Sequence, residues 1–398
     1  MKQLFLFLVF ITLMSCTNSS EEYIDIRGEE YAGSQSCIQC HQNISELSAH
    51  NSHTKASMPG LKENILGLIN NERFAYTYNP QLHLKVQEHK DSVYQVVYKN
   101  GKPTEKYRFD VLMGAKHAQT SMFWHQNKLY ELPISYYQSI TNWATSPGYD
   151  AHYPLFERMV KKDCFSCHSS NIKSPQPKGV KAGQEYGSTE LSGQLDKNSI
   201  VYGIDCERCH GPAKKHVNYH LKFPKDVKAQ FITTKTKLNN QQKLDQCAIC
   251  HSGNNSPQLK SRFDFRPGDS ISQFFLSNLA VSKDAPIDVH GNQLELLKQS
   301  KCFTKDPALN CITCHNPHAN AEKNTTYYSQ ICMSCHQQSN KNFCKVQPFQ
   351  PNFKNNCVDC HMPTKSSAVI SFIPSGSKKK KYYSLRTHKI GVYKKVEK

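Results

Sequence analysis

Seven copies of one short pattern leave this chain little freedom in how it can fold. Cys-x-x-Cys-His occurs at Cys37-Cys40-His41, Cys164-Cys167-His168, Cys206-Cys209-His210, Cys247-Cys250-His251, Cys311-Cys314-His315, Cys332-Cys335-His336 and Cys357-Cys360-His361. The pattern is the attachment signature of c-type haem. Each cysteine forms a thioether to a haem vinyl group, and the histidine becomes the proximal iron ligand. With 19 histidines in 398 residues, a histidine after every such pair is not a compositional accident. Zinc ribbons, disulfide frameworks and redox dithiols also use paired cysteines, but none needs the histidine that follows. The expected cofactors are therefore seven c-type haems.

Fourteen of the 17 cysteines are used in this way, leaving Cys16, Cys302 and Cys344. Cys302 and Cys344 lie in one region of a chain that reads as exported, so a disulfide between them is one expectation; free thiols are the other. The hydrophobic content, 38%, is low for a chain of this length, and haems would supply the apolar core it lacks. The formal charge of +18 invites a nucleic-acid reading. Haem propionates account for the excess of Lys and Arg better, so no nucleic-acid partner is expected. The run Lys378–Lys381, with Lys394, Lys395 and Lys398, reads as a solvated basic tail or as a docking patch for an acidic redox partner.

Residues 1–16 read as a lipoprotein signal peptide. Lys2 is the positive start, and Leu4 to Met14 is an apolar run too short to span a bilayer. Leu13-Met14-Ser15-Cys16 resembles a bacterial lipobox, with Cys16 the lipidated residue. This implies an exported bacterial lipoprotein, in the periplasm or at the outer membrane or cell surface, held to the membrane by a lipid anchor. Residues 17–32 read as a flexible tether, and 33–60 as the first haem segment.

Residues 61–160 carry no haem motif, and their pattern changes. Leu82 to Val86 and Val93 to Tyr98 are strand-like, and Asn100-Gly101 is a turn signal. A small antiparallel β-rich insert is expected. Residues 161–260 hold motifs two to four, 261–300 form a connector, and 301–398 hold motifs five to seven and a ligand-bearing basic tail. The last three motifs start at Cys311, Cys332 and Cys357, leaving room for little but loops and short helices.

Seven histidines are proximal, so 12 of the 19 remain for the opposite faces of the irons. His318 follows His315 by three residues, which span at most roughly 10 Å. It cannot round the porphyrin edge, so it would serve a neighbouring haem. The preferred distal set is His53, His117, His152, His216, His290, His318 and His388. His50 could replace His53, His125 could replace His117 or His152, and Met58 competes at the first haem.

Several stretches resemble the bacterial cytochrome c-552/4 domain family, the multihaem cytochromes related to cytochrome c-554. They are Tyr31-Ala32-Gly33-Ser34-Gln35-Ser36-Cys37 through His53 and Met58, Gly203-Ile204-Asp205-Cys206 through His216, Cys311 to His318, Cys357 to Pro363, and Thr387-His388-Lys389-Ile390. The resemblance implies a mainly α or irregular fold, with short helices and loops wrapped around stacked covalent haems, plus the small β-rich insert. It also implies electron transfer between redox partner proteins. The Cys-x-x-Cys-Lys motif of related nitrite reductases does not occur. The alternative is a multihaem oxidoreductase acting on a small nitrogen or sulfur compound at one open iron. Arg158, Lys161, Lys162, Tyr149 and Tyr153 would be the surroundings of that site.

Overall fold

Most of the motif-free stretch alternates apolar and polar residues with period two, and it folds as sheet. The computed structural model describes residues 23–67, 69–70, 75–175, 193–252, 256–276, 287–337, 339, 343–345 and 355–393. Its first ten strands are β1 (Ser57–Pro59), β2 (Tyr76–Asn79), β3 (Leu82–His89), β4 (Ser92–Lys99), β5 (Lys102–Arg108), β6 (Val111–Met113), β7 (Ala118–His125), β8 (Lys128–Glu131), β9 (Ile134–Tyr137) and β10 (Asn142–Thr145). One antiparallel sheet runs β2-β3-β4-β5, and another runs β1-β6-β7-β9-β10 with β8 paired to β7. Asn100 and Gly101 have φ of 52° and 75°, and Lys90 and Asp91 have 45° and 57°. Both two-residue turns therefore need left-handed backbone, which matches the twist of the strands they join. The buried face of the first sheet (Leu84, Val86, Val93, Val97) packs with Leu112, Ile134, Tyr136 and Trp143 of the second.

This β-structure is not an appendage. Val111, Met113, Met122 and Leu129 share a core with Val160, Phe165, Ile172 and Leu195. Phe165 sits inside the second haem motif. Two further hairpins lie outside the expected insert: β11 (Ser169–Lys173) with β12 (Asp196–Tyr202), and β13 (Thr364–Phe372) with β14 (Lys381–Arg386). Phe372 stacks on Tyr137 at 4.0 Å, tying the C-terminal hairpin to the central sheet.

The helices are short: α1 (Ser34–Ile38), α2 (Gln42–Ala49), α3 (Lys162–His168), α4 (Cys206–His210), α5 (Lys214–Lys222), α6 (Asn240–His251), α7 (Gln293–Lys298), α8 (Lys301–Lys305), α9 (Cys311–Cys314), α10 (Thr325–Met333) and α11 (Cys357–His361). Asn239 and Asn310 begin α6 and α9 with capping boxes, and Asp205 caps α4. Among the described residues no helix is long and apolar enough to cross a membrane.

One expectation is corrected. Helix and strand each make up 27% of the structure, so a mainly α fold is overturned. The reason is physical: most haem helices are only a turn or two long, while β-branched and aromatic residues build sheets well beyond the insert. In the segment before the first motif, Tyr23 and Ile24 are exposed while Asp25, Tyr31 and Ala32 are buried. The signal peptide and Cys16 lie outside the described residues.

Candidate haem sites

Every motif begins on a helical turn. The N–H groups of His41, His315 and His336 donate to the carbonyls of Cys37, Cys311 and Cys332 at 2.9, 3.0 and 2.9 Å. A helical turn puts residues i, i+3 and i+4 on one face. Both thiols and the imidazole of each motif are thereby presented together, as attachment to one haem requires.

The thiols of different motifs also meet. Cys37 lies beside Cys206, Cys167 beside Cys250, Cys247 beside Cys311, and Cys332 beside Cys357. Cys209 lies near Cys247, and Cys314 near Cys332. The motifs therefore run in space as one, three, four, five, six and seven, with motif two branching from four. Cys40, Cys164, Cys335 and Cys360 are exposed, whereas the thiols of motifs three, four and five are all partly buried. The enclosed sites, three to five, are thus in the middle of this path, and one, two, six and seven reach the surface.

The imidazoles form facing pairs. Ring centres are 6.3 Å apart for His41 and His216, 6.1 Å for His53 and His251, 5.9 Å for His210 and His318, and 6.2 Å for His315 and His388. A metal–imidazole nitrogen bond is about 2.0–2.1 Å. Adding roughly 1.1 Å from nitrogen to ring centre, twice over, gives about 6.3 Å across one metal ion. The four pairs have that separation. His290 lies close enough to His168 for its charge to act on it.

Ring orientation and protonation fit the same use. Nδ1 of His210 donates to the Thr233 carbonyl at 2.7 Å, that of His216 to Gln230 at 2.7 Å and that of His361 to Gly391 at 2.8 Å. Such a bond fixes the tautomer with hydrogen on Nδ1 and leaves the Nε2 lone pair for a metal. Burial, with His53 nearby, pushes His251 down to about 4. Burial, with His315 opposite, does the same to His388. Burial also lowers His168, His216, His290, His315 and His318. These rings are neutral at neutral pH, the state that ligates iron. Several helices at or beside the motifs have no core of their own: α1, α2, α5, α8 and α9 bury no residue, and Ile44, Leu47 and Leu221 on α2 and α5 are exposed. Residues of this chemistry and spacing fit haem.

The sequence-predicted distal residues divide as follows. His53, His216, His318 and His388 each face a proximal histidine of a different motif, and His290 adjoins His168. His117 instead packs against Tyr383 at 5.4 Å, and His152 is exposed and bonded to Asp150. His220, on the helix of His216, touches the ring of His216 edge-on at 4.6 Å. Met58 is buried in the β core. Cys302 and Cys344 are not bonded to one another in this structure. Cys302 lies instead near Cys335 and Cys314.

Sequence reasoning missed a buried ion cluster between the N-terminal segment and the third motif. Arg27 contacts Asp25 at 2.8 Å, Asp205 at 2.8 Å and Glu207 at 2.7 Å. Glu207, inside Cys206-Glu207-Arg208-Cys209-His210, also accepts from the backbone N–H groups of Ala32, Gly33 and Ala213. A charged residue between motif cysteines next to an Asp is its faint signal. Near the second motif, burial raises Glu131 to about 7 although Arg158 stands 3.3 Å away. A cavity of about 360 Å³ beside it is lined by Gly148, Tyr149, Leu155, Glu157 and Arg158.

No family model matches the chain. Over 191 residues it is 24% identical to the multihaem cytochrome MtrA of Shewanella baltica (strain OS185), covering 44% of this chain and 51% of that protein. The chain thus spans about half the length of the curated relative it matches. Its fold is similar to that of the outer cell wall cytochrome OcwA, with a TM-score of 0.54 and 14% identity over 86% of this chain and 79% of that one. A looser likeness, at a TM-score of 0.41 and 15% identity over 86% and 53%, is to the undecahaem cytochrome from the S-layer of Carboxydothermus ferrireducens. In sequence the chain is thus similar to a multihaem cytochrome, and in fold to a cell wall cytochrome.

Proposed function

We propose that this chain is an exported electron-transfer protein carrying seven c-type haems, one at each motif. The imidazole pairs at 5.9 to 6.3 Å carry the reading. In it, His41, His168, His210, His251, His315, His336 and His361 are proximal. His216, His290, His318, His53 and His388 complete the first five sites in motif order. His117, against Tyr383, and His152, bonded to Asp150, are the sequence candidates that remain. Haem supplies one-electron iron chemistry. The chain sets ligand identity, burial and spacing, and those choose potential and route.

Export is supported by the signal-like residues 1–16 and by the location in the name of OcwA, an outer cell wall cytochrome. Lipidation at Cys16 would anchor the protein to a membrane. Redox partner proteins, not nucleic acid, are the expected partners. The residue-level likeness to the cytochrome c-552/4 family agrees with bis-histidine sites.

A second reading, an oxidoreductase for a small nitrogen or sulfur compound, draws on the cavity at Tyr149 and Arg158 near Cys164. It needs an open iron, and His290 beside His168 speaks against one at that motif. Low-temperature EPR of the oxidised holoprotein, with and without nitrite, separates the two. Low-spin signals that nitrite leaves unchanged are expected. A high-spin ferric signal that nitrite converts would replace the carrier with an enzyme.

A further inference from the structure

The seventh motif leads into a hairpin whose far end is basic: Thr364 pairs with Arg386 beside the motif, and Phe372 with Lys381 at the opposite end. From His361 the chain enters β13 within three residues, turns, and returns as β14. Arg386 at the end of β14 clasps the motif: its guanidinium donates to the carbonyls of Val358 and Met362 and to Asp359 at 3.0, 2.9 and 2.7 Å. The hairpin is therefore rigidly tied to this motif. Its tip is fixed as well, because the Ser375 hydroxyl accepts from Thr77 N–H and donates to the Ala75 carbonyl.

Beyond that fixed tip, Lys378, Lys379, Lys380 and Lys381 are consecutive and exposed. Tyr382 and Val369, 51% and 63% exposed, add apolar area among them. The hairpin's nearby carboxylates are already engaged: Asp359 pairs with Arg386, and Asp288 accepts from Ser367 and Ala368. The result is an apolar spot within a cationic rim, the anatomy of a transient protein interface. Cys360 of the same motif is exposed, and the motif lies at an end of the thiol path. The path's other ends are motif two, whose Phe165 is packed in the β core, and motif one, whose preceding segment Arg27 locks onto the third motif.

We infer that the β13–β14 hairpin is the docking surface for an acidic redox protein, and that the seventh motif's haem exchanges electrons with it. This rests on the electron-carrier reading. In each encounter the partner gives up or takes one electron, and one iron changes by one oxidation state. Four adjacent lysines steer an acidic partner over roughly a Debye length, about 8 Å at physiological salt, and speed encounter rather than tighten it.

The test uses the full-length holoprotein and two reductants. One is flavodoxin hydroquinone, an acidic protein that becomes the semiquinone as one haem iron is reduced. The other is photoreduced deazariboflavin, small and uncharged. Stopped-flow reduction is followed at low and high ionic strength. Reversing Lys378, Lys379, Lys380 and Lys381 to Glu should slow reduction by flavodoxin at least tenfold at low salt and flatten its salt dependence. The corresponding Lys→Gln variant should fall between. Neither should change the rate with deazariboflavin. A control variant reversing Lys99, Lys102, Lys106 and Lys128 on the β-sheets carries the same net charge and should match the wild type. Equal slowing by the control, or no slowing by the hairpin variants, overturns the docking site. If deazariboflavin reduces the wild type but flavodoxin does not, the docking site falls and the carrier stands. If neither reduces it, the carrier reading falls too.

Discussion

Arg27 is the residue whose loss should reveal most about how the haem path is held together. Its guanidinium is 5% exposed and faces three carboxylates, on Asp25, Asp205 and Glu207, that are 4%, 7% and 0% exposed. Arg27→Met leaves those charges without a counter-ion. Removing one partner of a buried pair costs about 3–5 kcal/mol, because the other charge stays buried. Three backbone N–H groups cushion Glu207, and Asp25 sits on a loop that can swing into water, so the lower end, about 3 kcal/mol, is expected. At 1.4 kcal/mol per factor of ten, the segment should open about 100-fold more often. Hydrogen exchange at the Ala32 and Gly33 amides reads this directly, because both donate to Glu207. Arg27→Lys keeps the charge but not the fork and should recover only part of the protection. Acid gives the sign. Burial alone would raise the Asp25 carboxyl, but hydrogen bonds and charge from Arg27 outweigh it and hold the group below 3.8. Its stabilising share is present above that value and is lost as pH falls through the lowered one. The gap between wild type and Arg27→Met should therefore narrow in strong acid. Unchanged exchange at Ala32 and Gly33 in the Met variant would refute the argument.

Three further outcomes are expected. His216→Ala removes the ring facing His41 and should convert one low-spin ferric signal to high-spin while the haem count per chain stays the same. Glu131 is raised from 4.5 to about 7 by burial, so the folded protein holds an extra proton between those values and loses stability as pH rises through them. Glu131→Gln should remove that slope, worth about 3 kcal/mol, from urea unfolding midpoints measured between pH 5 and 8. Alkylation of the unreduced, unfolded holoprotein followed by mass spectrometry should label both Cys302 and Cys344, which are not disulfide-bonded in the structure; recovery of the two joined by a disulfide would contradict that.

What could be read in the sequence was what repeats or alternates. Each Cys-x-x-Cys-His lies on a helical turn because its own spacing is the spacing of one helix face. Leu82 to Lys99 alternates over two strands, and Asn100-Gly101 makes the turn its residues favour. The β13–β14 hairpin was hidden because Thr364-Lys365-Ser366-Ser367 and Lys378–Lys381 read as a solvated tail; Phe372 against Tyr137 holds it down. The orienting acceptors for His210, His216 and His361 are backbone carbonyls, which have no sequence signature. The Arg27 cluster joins segments far apart in the chain, and its residue types are those of any polar linker.

Spatial order is the deepest of these omissions, and the β-structure explains it. Motifs one and two are neighbours in sequence, yet Cys37 meets Cys206 of motif three, and motif two meets motif four through Cys167 and Cys250. The intervening sheets bury Val111, Met113, Met122 and Leu129 against Phe165, so motif two is hung on the β core rather than beside motif one. Arg27, Asp205 and Glu207 meanwhile fasten the segment preceding motif one to motif three. Hydrophobic burial draws one motif away and a buried ion cluster pulls another in. Together they turn a linear string of sites into a path with a side branch at the fourth. Electron tunnelling weakens steeply with separation, so such a path has three ends where a simple string has two. The fourth motif, whose thiols meet those of motifs two, three and five, is the junction through which any route from the second must pass.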